Sequence, residues 1–141
     1  MNAAEKNLVL LMRIIAIVSA CAVVAIFMPF HCMNATHEML GLGPLPDRPV
    51  VHYLARSVSL LYTLHAVLFW LVANDLKRYR PIVAGLIAWF LAFGVFILGI
   101  DIAAGVPWFW IVGEGPVVLI LGAVMALLFK KSKNGDQASE N

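Results

Sequence analysis

PIVAGLIAWFLAFGVFILGID, residues 81–101, carries no charged side chain until its last position, Asp101. Its apolar residues fall on every face of a helix and show no two-residue alternation, which excludes a half-buried strand or a strand of a membrane barrel. A bilayer core about 30 Å thick needs about 20 helical residues to cross it, and this stretch meets that length. Working outward, three more runs meet it too: residues 8–30, 50–73 and 108–129. The expected fold is therefore all-α, an integral membrane four-helix bundle. A single domain over residues 1–131 precedes a disordered cytoplasmic tail over residues 132–141, SKNGDQASEN.

Composition agrees. Of 141 residues, 62% are hydrophobic and 13% charged. Soluble domains hold about 25% charged residues and at this size have too little interior to hide so much apolar surface. The net charge of +2 matters less than its distribution. The basic residues sit at segment ends, with no patch suited to nucleic acid. No sequence repeat is evident.

The first run resembles a secretory signal but exceeds the length of a signal's apolar region. Val18-Ser19-Ala20-Cys21 resembles a lipoprotein cleavage box, yet Ala-Val-Val-Ala-Ile-Phe follows Cys21, so a small residue inside a packed helix is the better reading.

Orientation follows from Lys and Arg. Lys6 and Arg13 open the first run, Lys77, Arg78 and Arg80 join the second and third, and Lys130, Lys131 and Lys133 follow the fourth. These eight of the ten basic residues share one side if both termini are cytoplasmic, leaving Arg48 and Arg56 toward the other. Both termini are expected inside, in the inner (plasma) membrane of a bacterium. Trp108 and Trp110 then form an outer aromatic belt and Tyr79 an inner one.

The outer half gathers the chemistry. HEMLGLGPLPDRPVVHYLARS, residues 37–57, runs from a turn-rich Gly/Pro loop into the second span. MNATHEML before it reads as a short interfacial helix capped by Asn34 or Thr36. Arg56 enters the second span by six residues, about 9 Å, and Glu114 enters the fourth by a similar depth. A charge within the bilayer costs a few kcal/mol on insertion scales, so it faces inward and pairs. A candidate polar pocket follows: His52, Arg56, Asp101 and Glu114, with Arg56 bonded to Glu114 or, failing that, Asp101. His52, Arg56, Ser59 and Thr63 share one helical face. Glu114 lies in VGEGP, where the glycines and Pro116 let the helix kink or open. His65 falls on the opposite side, as a hydrogen-bonded core histidine. Ala84, Ala88 and Ala92 form a small-residue ridge for close helix packing.

An outer-face cluster, His31, Cys32, His37 and Glu38, has ligand types that suit zinc or copper, but its spacing matches no familiar metal motif. No metal or cofactor is expected. Cys21 and Cys32 lie about 16 Å apart on a helix, too far for a disulfide. No catalytic triad, phosphate loop or zinc-protease motif occurs, and the first span lacks the Glu of small four-helix multidrug exporters.

The words THEMLGLGPLPDRPVVHYLARS and LYTLHAVLFWLVANDLKRYRP, residues 36–57 and 61–81, give the central half of the chain a layout that resembles small four-span bacterial membrane proteins without an assigned function. The chain is similar in size and span count to the broad DoxX-like group, without that group's acidic or cysteine signatures. The resemblance implies no activity and no catalytic residue. Three readings stand. The first is a non-enzymatic accessory protein or complex subunit, partnered by the bilayer and by itself or a larger membrane complex, and not by nucleic acid. The second is a small transporter or channel using Arg56, Glu114 and His52. The third is a redox subunit touching quinone or haem through His31 and His52.

Overall fold

The computed structural model describes residues 2–140, with side chains described as far as residue 133. The described residues form helices and no strand: α1 (Ala3–Ala20), α2 (Val23–Phe27), α3 (Phe30–Met39), α4 (Pro49–Asn74), α5 (Arg80–Ala104), α6 (Trp108–Gly113) and α7 (Gly115–Glu140). Among the described residues, four stretches are long and apolar enough to cross a membrane: Ala3–Phe27, Pro49–Asn74, Arg80–Ala104 and Trp108–Lys133. Their large apolar side chains stay mostly on the surface, Phe27 at 80% exposure and Phe96 at 67% among them. That is the surface a bilayer accepts and water does not.

Two spans are interrupted. The first tightens at Cys21-Ala22, where Cys21 N–H and Ala22 N–H donate three residues back to Val18 O and Ser19 O, a 3₁₀-like turn. It ends at Phe27 rather than residue 30, because Pro29 holds an extended conformation (φ −61°, ψ 149°) and starts α3 at Phe30. The interfacial helix expected in MNATHEML therefore exists but begins earlier. Asn34 and Thr36 lie inside it rather than capping it, and the Thr36 hydroxyl donates to Cys32 O. The fourth span breaks at Glu114 (φ −103°, ψ −76°) between α6 and α7, as VGEGP predicts.

The chain divides into two compact units, Arg13–Leu71 and the pair of segments Met1–Met12 with Val72–Asn141. In the second of these, α5 packs on α7. A Cβ added at Gly122, Gly94 or Gly115 would come within 3.0, 2.7 and 2.7 Å of Leu91, Leu119 and Leu98 respectively. As the position on α5 rises from 91 to 94 to 98, its opposite on α7 falls from 122 to 119 to 115, so the helices run antiparallel in constant register. Glycine on alternate sides of the seam lets the backbones close up around leucines. The expected alanine ridge does not play this part: Ala84 and Ala88 are exposed, while Val83, Leu86, Ile87, Gly94 and Asp101 are buried. Helix α5 ends at Gly105, whose left-handed φ of 66° lets its N–H bond back to Asp101 O and Ile102 O.

In the Arg13–Leu71 unit, the face of α4 carrying His52, Arg56, Ser59 and Thr63 is partly shielded and continues into buried Ala66 and Phe69. The Ser59 and Thr63 hydroxyls donate to carbonyls one turn back, Ala55 O and Ser59 O.

The residues expected as a tail, 132–141, continue α7 as far as Glu140. Side chains from residue 134 onward, and Asn141, lie outside those described. Ser132 is no tail residue, being fully buried.

Candidate functional site

In the Arg13–Leu71 unit the polar residues are concentrated at the α2–α3–α4 end, and nearly all brace the chain. Helix α2 stops where Met28 turns extended (ψ 130°), and that strands its last carbonyls. Arg56 Nε donates to one of them, Ile26 O, at 3.1 Å. A cation at a helix C-terminus also meets the negative end of the helix dipole. This explains locally why an arginine enters an apolar span: it closes the end of the preceding one.

The loop after α3 is held from both sides. His37 Nδ1 bonds Gly43 O at 2.6 Å. Asn34 Oδ1 accepts from Leu45 N–H at 2.7 Å while Asn34 Nδ2 donates to Glu38 Oε1. His52 Nε2 meets Asp47 Oδ1 at 2.7 Å, and its ring lies 4.8 Å from that of Phe30. Gly41 and Gly43 take the positive φ values, 73° and 78°, that let the loop turn. Of the outer-face cluster, His37 and Glu38 are committed to these bonds, Cys32 is half-buried and His31 is exposed. Among the described residues no group of three or more His, Cys, Asp or Glu side chains could hold a metal ion. His65 bonds Leu61 O on its own helix.

The other unit holds Asp101 and Glu114. Asp101 is 5% exposed and its Oδ2 has no hydrogen-bond partner. It lies one turn beyond Leu98, the residue against Gly115, and the antiparallel register therefore places it alongside the break at Glu114. Glu114 Oε2 accepts from Trp110 Nε1 at 2.7 Å. Pro116 has no N–H to return to the carbonyl four residues back, which favours the break at Glu114. The pair expected from sequence, Arg56 with Glu114 or Asp101, joins residues of different units; within its own unit Arg56 bonds Ile26 O, Glu114 bonds Trp110 and Asp101 is buried.

The best-built polar cluster lies elsewhere in that unit and involves residues that sequence reasoning passed over. Asn2 and Glu5 form a reciprocal cap: Glu5 N–H donates to Asn2 Oδ1 (2.9 Å) and Asn2 N–H to Glu5 Oε2 (3.1 Å). This is the capping-box geometry. Asn2 Nδ2 donates to Ser132 O, Arg80 Nη2 to Ser132 Oγ, and Ser132 Oγ to Phe129 O. Glu5 is 1% exposed and Ser132 0%, while Arg80 also lies 5.9 Å from the Phe129 ring. The start of α1, the start of α5 and the Phe129–Ser132 turn of α7 are thereby tied together. The spacing Asn2-x-x-Glu5 was a visible signal; nothing local marked Ser132.

No family model, curated protein or solved structure matches this chain.

Proposed function

We propose that the chain is a small, non-enzymatic bacterial inner-membrane protein, an accessory protein or complex subunit, with both termini in the cytoplasm and the loop between α3 and α4 outside. One observation carries this reading. The polar side chains of that loop end, Asn34, His37, Asp47, His52 and Arg56, each hold a neighbouring group of the same unit in place. A loop fixed in this way offers a partner a preformed surface and lowers the ordering cost of binding. The charge asymmetry of Lys and Arg supports the orientation, and partners are the bilayer and another membrane protein, this chain included.

Transport is the second reading. Asp101 Oδ2, buried without a partner beside Glu114 at a broken helix, favours it, since broken helices at membrane depth occur where they line a cavity. Two measurements separate the readings. Mild solubilisation from native membranes followed by native electrophoresis is expected to place the protein in an assembly larger than the purified chain, and His37→Ala with Asp47→Ala to release it. Liposomes holding the purified protein are expected to show no flux above empty vesicles across a pH gradient. Flux lost in Asp101→Asn, with no assembly, would reverse the order of the two readings.

A further inference from the structure

A groove runs between α1 and α4 inside the Arg13–Leu71 unit. It is an open cleft of about 370 Å³ whose walls include Ala16, Ala20, Thr63, Ala66, Val67 and Trp70. Its shape follows from the helix repeat. Residues 16, 17 and 20 lie on one face of α1, and 63, 66, 67, 70 and 71 on one face of α4. The alanines leave the space that larger side chains would fill. The single hydroxyl, that of Thr63, is turned to Ser59 O on its own helix, so the groove is apolar along its length. From Thr63 to Trp70 it extends about 10 Å.

One end carries a charge. The Arg13 guanidinium lies 5.6 Å from the centre of the Trp70 ring. Trp70 stands four residues, about 6 Å, before the end of α4, the depth at which tryptophan meets headgroups. Arg13 makes no ion pair among the described residues. The only acids of its unit, Glu38 and Asp47, lie on α3 and the loop after it, beyond the opposite end of α4. A guanidinium whose carbon sits over an indole still has N–H donors to offer, and their planar fork matches a phosphate.

We propose that this groove binds a phospholipid of the leaflet nearer the start of α1, one acyl chain lying across the exposed Ile17, Ala20 and Val67 above the buried Ala16 and Ala66 and the phosphate on Arg13. Charge complementarity argues for lipid over a second copy of the chain, because the groove offers one cation and the headgroup one anion. A single basic side chain near the surface is worth about 1 kcal/mol toward anionic lipid, which corresponds to about a five-fold preference.

The test is native mass spectrometry of the purified full-length protein in micelles containing equal amounts of phosphatidylglycerol and phosphatidylcholine. One retained lipid per chain is expected, with phosphatidylglycerol favoured about five-fold. Arg13→Gln should bring the two lipids to parity, and Arg13→Lys should keep the preference. Ala20→Phe fills the apolar end at an exposed position and should remove the adduct of either lipid. Leu64→Phe, at a lipid-facing position outside the groove, should leave it. An adduct that survives Ala20→Phe, or a preference that survives Arg13→Gln, overturns the proposal. So does a lipid-free dimer that Ala20→Phe dissociates, which would assign the groove to a second copy.

Discussion

Gly115→Ala is expected to destabilise the protein by about 1–3 kcal/mol, the usual cost of forcing an extra carbon into a packed seam. The new Cβ would stand 2.7 Å from Leu98 Cβ, 3.0 Å from its Cα and 3.1 Å from its backbone nitrogen. Two of those neighbours are backbone atoms, so the clash cannot be relieved by a rotamer change, and α5 and α7 must separate. Gly99→Ala is the matched control. It lies on α5 one residue beyond Leu98, and a Cβ there meets nothing within 4 Å. Its expected effect is the opposite, a gain of about 0.5–1 kcal/mol from helix propensity. Thermal unfolding in detergent, followed by tryptophan fluorescence, reads both. Equal effects of the two substitutions would mean that the helices do not approach in the register described.

Arg56→Leu is expected to cost about 2 kcal/mol, the middle of the range for a hydrogen bond to a charged group. The loss leaves Ile26 O without its donor at the end of α2. Arg56→Lys should recover part of it, because an ammonium can still donate but lacks the planar guanidinium. The effect should be local as well as global. Amide exchange in α2 and at the start of α3 should accelerate in Arg56→Leu, while α5 and α7 keep their protection. Unchanged protection of α2 would show that Arg56 does not close its end.

The contrast between these residues shows what a sequence discloses in a chain of this kind. Span number and approximate limits are legible because length and apolarity decide them, and the observed spans differ from the expected ones mainly at their ends. The break at Glu114 was legible too, since Gly113, Gly115 and Pro116 each weaken a helix. The environment of Arg56 was not. It depends on where α2 stops, and the determinant there is Pro29, which reads equally well as the end of a longer span. The Gly94, Gly115 and Gly122 seam needs the register between α5 and α7, whereas the Ala84–Ala88–Ala92 spacing is a pattern within one helix and says nothing about what faces it. Ser132 looked like tail because its neighbours in sequence are polar; its burial comes from Asn2 and Arg80, 130 and 52 residues away.

Site-directed labelling tests the four-span, both-termini-inside arrangement most directly. Cys32 is natural and half-buried, Cys21 lies in the first span and is best replaced by Ser, and Lys133 is exposed at the other end of the chain's topology, a better reporter than buried Ser132. In intact spheroplasts, a membrane-impermeant maleimide is expected to label Cys32 in the Cys21→Ser background. In Lys133→Cys, with Cys21 and Cys32 both replaced by Ser, labelling is expected only after the membrane is permeabilised. The reverse pattern would invert the orientation and move the braced loop to the cytoplasm. Labelling of both positions in sealed spheroplasts would contradict an even number of crossings that leaves both termini inside.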